Sequence, residues 1–126
     1  MRQLRIVDSI TSLDVADADC VAVSGSHGGT SSAGFAIATR PFLSVFNDAG
    51  GGRDNAGSAG LAMLQAQGLA ACTVSHESAR IGDARSTLDE GIINHANAQA
   101  LLIGVVVGQR CRAAVDAALE FKETET

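Results

Sequence analysis

Cys20-Val21-Ala22-Val23-Ser24-Gly25-Ser26-His27-Gly28-Gly29-Thr30-Ser31-Ser32 is the stretch on which the fold turns. Cys20-Val21-Ala22-Val23 is a short apolar run bounded by turn residues, which predicts a buried strand. The segment Ser24 to Gly29 then reads as a loop. Thr30-Ser31-Ser32 supplies three hydroxyl residues suited to capping a helix, and that helix is expected to run to about Arg40, where Pro41 stops it. One strand, one glycine-rich turn and one helix make a βα unit.

The pattern recurs along the chain. Phe42 to Phe46 predicts a second strand, followed by Asn47-Asp48-Ala49-Gly50-Gly51-Gly52-Arg53-Asp54 as a loop and a helix from about Asn55 to Gln67 with Gly68 at its end. Gly28 to Gly34 and Gly51 to Gly57 share the spacing G-G-x-x-x-A-G, so both units are expected to use the same turn from strand to helix. Gly57 and Gly60 inside the second helix suggest close approach to a neighbour. Ala70 to Val74 is the third strand, and Ser75 to Asp83 the longest loop.

Ser86-Thr87-Leu88-Asp89 resembles a capping box, and Leu88, Ile92, Ala96, Ala100 and Ile103 recur at helical spacing, which predicts one helix reaching about Leu102. Val105 to Val107 is open between a fourth strand and a connector. Cys111, Ala114, Val115, Ala118 and Leu119 mark a last amphipathic helix. Leu4 to Val7 is a candidate first strand, with Asp8 to Asp19 a short helix or loop. Alternation of this kind predicts an α/β class with a parallel sheet of three to four strands and βα repeats, in two or three layers. Residues 1–121 are expected to form a single α/β domain, with 122–126 a polar tail.

The totals narrow the function. The 126 residues suit one domain, and 46% are hydrophobic, yet there is no Trp or Tyr and only 4 Phe. The core must therefore be built from small aliphatic side chains, which makes a homo-oligomer an expected source of added stability. A net charge of -5 with scattered arginines argues against a nucleic-acid partner. No apolar run is long enough to span a membrane, and early charges exclude a secretory signal, so a cytoplasmic location is expected. The 3 cysteines stand in apolar surroundings without metal or redox spacing and read as buried small hydrophobes.

In a parallel sheet the loops after the strands share one rim, where ligands bind. His27, Asp48 and His76 each follow a predicted strand and are the expected catalytic residues, the histidines moving protons and Asp48 orienting them. Ser26, Gly28, Gly29, Asn47, Arg53, Arg80 and Asp83 are the expected substrate-binding residues. The glycines would offer N–H groups to an anion, and an arginine would grip a carboxylate. Asp83 also has the simpler role of capping the next helix. His95, near Asn94 and Asn97, is expected on a helix away from the rim.

Other chemistries fit less well. A dinucleotide pattern laid on Gly50 and Gly52 fails at Asn55, and no phosphate-loop lysine is present. No cofactor is therefore expected, and a divalent metal at His27, Asp48 and His76 ranks below metal-free acid/base chemistry, because the three share no local ligand spacing. A covalent serine mechanism through Ser26, Asp48 and His76 is a further minor reading. The expected function is a small enzyme or enzyme subunit of hydrolase, lyase or isomerase type acting on a small anionic metabolite. The alternative is a non-catalytic ligand-binding or assembly subunit.

Overall fold

The computed structural model describes residues 2–50 and 58–122. Five strands form one sheet in the order β1 (Leu4–Val7), β2 (Val21–His27), β3 (Leu43–Asn47), β4 (Ala70–Val74) and β5 (Ile93–Ala96). The first four are mutually parallel and β5 is antiparallel to β4. The sheet thus contains one strand more than the upper sequence expectation. Two 3-10 turns, Ile10–Ser12 and Val15–Asp17, join β1 to β2.

The helices are α1 (Thr30–Thr39), α2 (Gly60–Ala66), α3 (Ala84–Glu90), α4 (Ala98–Leu102) and α5 (Cys111–Glu120). Alternating side chains of the strands build a core on each face. Ala22, Phe46 and Ala71 pack with Ile10, Ala33, Ala36, Leu61 and Leu64, which places α1 and α2 on one side. Val23, Val45, Cys72 and Val74 pack with Leu88, Ala100, Ala114 and Val115, which places α3, α4 and α5 on the other. The result is three layers.

Several local expectations change. Strand β2 continues through Ser24 to His27, where a loop was expected, because its polar atoms find partners in the sheet and in the loops beside it. Ser24 Oγ donates to Val45 O at 2.8 Å, and Gly25 leaves room for the Gly82 and Asp83 backbone, which a Cβ would strike. Thr30, Ser31 and Ser32 do not cap α1. The cap is the extended Gly29, which offers no side chain, so the hydroxyls fall in the first turn. The helix ends at Arg40, in a left-handed conformation before Pro41. Helix α2 starts at Gly60, where an added Cβ would stand 2.8 Å from Ala33 Cβ, in keeping with the close approach expected there. Gly57 lies outside the described residues.

The single helix expected from Ser86 to Leu102 is three elements. Asp83 caps α3 by accepting from Ser86 N at 3.0 Å, so the capping-box reading of Ser86 fails. Gly91 ends α3 where a Cβ would stand 2.7 Å from Val74 Cγ1. Ile92 and Ile93 are β-branched and suit a strand, and the open edge of β4 offers a partner that an isolated reading of spacing does not see. His95 and Asn94 therefore sit on β5, not on a helix. Val105 to Val107 is a connector, flanked by Gly104 and Gly108 at positive φ.

One consequence of the layering positions the site. The helix after β3 lies on one face of the sheet, and the helix after β4 lies on the other. The ends of two neighbouring strands are thereby left with connections diverging to opposite faces, the arrangement that opens a crevice at the carboxyl edge of an α/β sheet.

Candidate functional site at the carboxyl edge of β3 and β4

Asp48 follows β3 and His76 follows β4, so the crevice lies between them. Asp48 is nearly buried, and all its partners donate. Oδ1 accepts from Gly50 N at 2.9 Å, from His76 N at 2.9 Å and from His76 Nδ1 at 3.1 Å. Oδ2 accepts from Asn94 Nδ2 at 2.6 Å. Burial alone would raise the carboxyl pKa, but the hydrogen bonds from Gly50, the His76 backbone, Asn94 and the His76 ring outweigh it and hold Asp48 below its ordinary value.

Asn94 is set in turn by Thr73, a fully buried residue of β4 whose hydroxyl donates to Asn94 Oδ1 at 2.7 Å. With its oxygen engaged there, the amide presents its NH2 to Asp48. A chain of four side chains, Thr73, Asn94, Asp48 and His76, therefore crosses from the sheet interior to the rim. Because the ionised Asp48 can only accept, His76 carries a proton on Nδ1, and in the neutral ring Nε2 is a bare acceptor. The His76 side chain is 42% exposed.

His27 ends β2, opposite Asn47 in register. Its ring turns toward its own loop, where Nδ1 accepts from Gly29 N at 3.1 Å. The neutral His27 ring therefore bears its proton on the other nitrogen, Nε2, the reverse of His76. His27 shares the rim with Asp48 and His76 without joining their hydrogen-bonded chain. Among the described residues no three His, Cys, Asp or Glu side chains gather as a metal-ligand set, so His27, Asp48 and His76 do not form the ligand trio considered from sequence.

Ser26, Asn47, Gly28 and Gly29 make their contacts within the strands and loops around the rim. Ser26 Oγ accepts from Ile10 N at 2.9 Å, so it is turned toward the β1–β2 connection and does not complete a triad with Asp48 and His76. Asn47 is fully buried; its amide donates to Ala79 O at 3.1 Å and its carbonyl accepts from Ala49 N at 2.8 Å. Gly28 N donates to Asn47 O at 3.1 Å, and Gly29 N is taken by His27. Neither glycine N–H is open to an anion. Arg53 lies outside the described residues.

The loop after β4 forms the other wall. His76, Arg80, Ser86 and Glu90 line a hollow of about 220 Å3. Ser86 is buried, and its Oγ both accepts from Arg80 N at 2.9 Å and donates to Glu90 Oε1 at 2.7 Å. The Arg80 guanidinium makes no ion pair among the described residues. Thr73, Asn94, Ser86 and Glu90 were absent from the sequence-derived site. The last two carried a faint signal, four residues apart on a helix.

Comparison with protein-family models, with curated proteins and with solved structures finds no match for this chain. No helix among the described residues is long and apolar enough to cross a membrane.

Proposed function

We propose that the chain is a small cytoplasmic enzyme, or enzyme subunit, that transfers protons on a small carboxylated metabolite in hydrolase, lyase or isomerase chemistry. The observation that carries this reading is the Asp48–His76 pair. A carboxylate fixed by four donors holds the imidazole with its unprotonated nitrogen turned outward, as a general base requires. His27, with the opposite tautomer at the neighbouring strand end, supplies a donor for the complementary step. Arg80, unpaired at the edge of the hollow beside His76, anchors the carboxylate by its planar fork.

A second reading, a non-catalytic assembly subunit that forms a homo-oligomer, draws on the exposed apolar side chains Leu101, Leu102, Val106 and Val107. One experiment separates the two. A pool of small carboxylic acids is incubated with the protein in D2O and followed by proton NMR. Abstraction of a carbon-bound proton appears as loss of its signal, and hydrolysis or elimination as new signals. The enzyme reading expects such a change with the native protein and its loss, by at least about a hundredfold in rate, in His76→Gln. Identical spectra for the native protein and the variant across the pool would leave the assembly reading in its place.

A further inference from the structure

We infer that the hollow beside His76 takes a dipolar molecule, one bearing a cationic nitrogen as well as a carboxylate, with Arg80 and Glu90 as its two anchors. The inference rests on the proposed site and names its substrate class. Arg80 and Glu90 carry opposite charges and line the same hollow, yet they form no ion pair with each other or with any other described residue. Between them lies Ser86, a residue only 6% exposed, whose one hydroxyl accepts from the Arg80 backbone and donates to the Glu90 carboxylate, so that Glu90 is oriented while the Arg80 guanidinium stays available.

Glu90 also stands where helix energetics disfavour it. It is the last residue of α3, at the negative end of the helix dipole, where a basic residue would be the stabilising choice. Hydrogen bonding to Ser86 occupies Oε1 and leaves Oε2 to accept from a ligand. A carboxylate held at a destabilising position, in the same hollow as a cation it does not neutralise, is arranged for a third party that carries both charges. The hollow is smaller than a drug-sized pocket, so the molecule is small, of amino-acid size. His76 lines the same hollow, and in this assignment it removes a carbon or heteroatom proton from the atoms between the two charged groups. Glu77 also lines the hollow, but among the described residues none holds its carboxylate.

The test is an NMR titration of the 15N-labelled protein with matched probes. Alanine, β-alanine and γ-aminobutyrate are each compared with the acid that lacks the amine, propionate or butyrate, and ethylamine serves as the amine alone. At least one amino acid is expected to bind at least about tenfold tighter than its des-amino partner, with shifts at His76, Arg80 and Glu90. Glu90→Gln should bring that amino acid down to the level of the plain acid and leave the plain acid unweakened, whereas Arg80→Gln should abolish both. Glu77→Gln should change neither. Equal binding of amino acids and plain acids would overturn the dipolar assignment while sparing the carboxylate site. Loss of the preference in Glu77→Gln instead of Glu90→Gln would overturn the role of Glu90. Failure of every probe to bind would overturn this inference and the Arg80 anchor together.

Discussion

Among the described residues Asp48 receives four hydrogen bonds and donates none, so its chemistry can be tested by replacing one oxygen with a donor. In Asp48→Asn the new NH2 must face either Asn94 or the Gly50 and His76 donors, and the expected loss of stability is about 2 kcal/mol at neutral pH, read from urea midpoints. The pH dependence follows from the lowered carboxyl pKa. A carboxyl more acidic in the folded than in the unfolded chain adds stability above its unfolded value, and that stability is lost as pH falls through the folded value. The gap between the native protein and the variant should therefore narrow only in the acid range. At this scale the sequence was partly legible. Asp48 and His76 could be placed because each follows an apolar run that reads as a strand. Asn94 and Thr73 could not, since their roles depend on a strand pairing that no local pattern announces, and Ser26 was misjudged because its partner, Ile10, lies across a separate connection.

Among the elements, α4 and its cap show how a single buried amide joins pieces that are distant in the chain. Asn97 accepts from Ala71 N at 3.1 Å and Ala100 N at 2.9 Å, and donates to Leu61 O at 3.2 Å and Leu69 O at 2.9 Å. It therefore fastens β4, α2 and α4 at once. Asn97→Ala removes the side-chain partner from all four backbone groups, and the expected cost is about 3 kcal/mol, measured by denaturant unfolding. Asn97→Asp should recover part of it, through the two accepted bonds only. The elements also mark where sequence reading stops. Strand β4 was placed to the residue, because an apolar run of five between turn residues has few other uses. The region from Ser86 to Leu102 was read as one helix because Leu88, Ile92, Ala96 and Ala100 do keep helical spacing. What decides against that helix is Val74, against which Gly91 must pack, and the vacant edge of β4, neither of which is local.

For the molecule as a whole, the core is as aliphatic and small-grained as the composition required, and the three cysteines belong to it. Cys20, Cys72 and Cys111 are all buried. Burial is the leading cause that pushes the Cys20 thiol up to about 11 and the Cys111 thiol up to about 12, and it raises Cys72 as well. Alkylation by iodoacetamide at pH 8 is expected to run at least about a hundredfold slower than for a free thiol, and to speed up for all three in step with unfolding by urea, as read by mass spectrometry. Fast labelling of one cysteine in the native protein would locate a region that opens on its own. The arrangement of the sheet has a consequence for how the chain acquires its shape. Each strand lies beside the one made just before it, so a chain emerging from the ribosome can add strands in the order of their synthesis, closing one connection at a time. Asp48 and His76 would meet when β4 joins, as the fourth of the five strands. Their alignment would have to wait for Asn94, and β5 would therefore serve as the step that turns a nascent sheet into a chemically competent one.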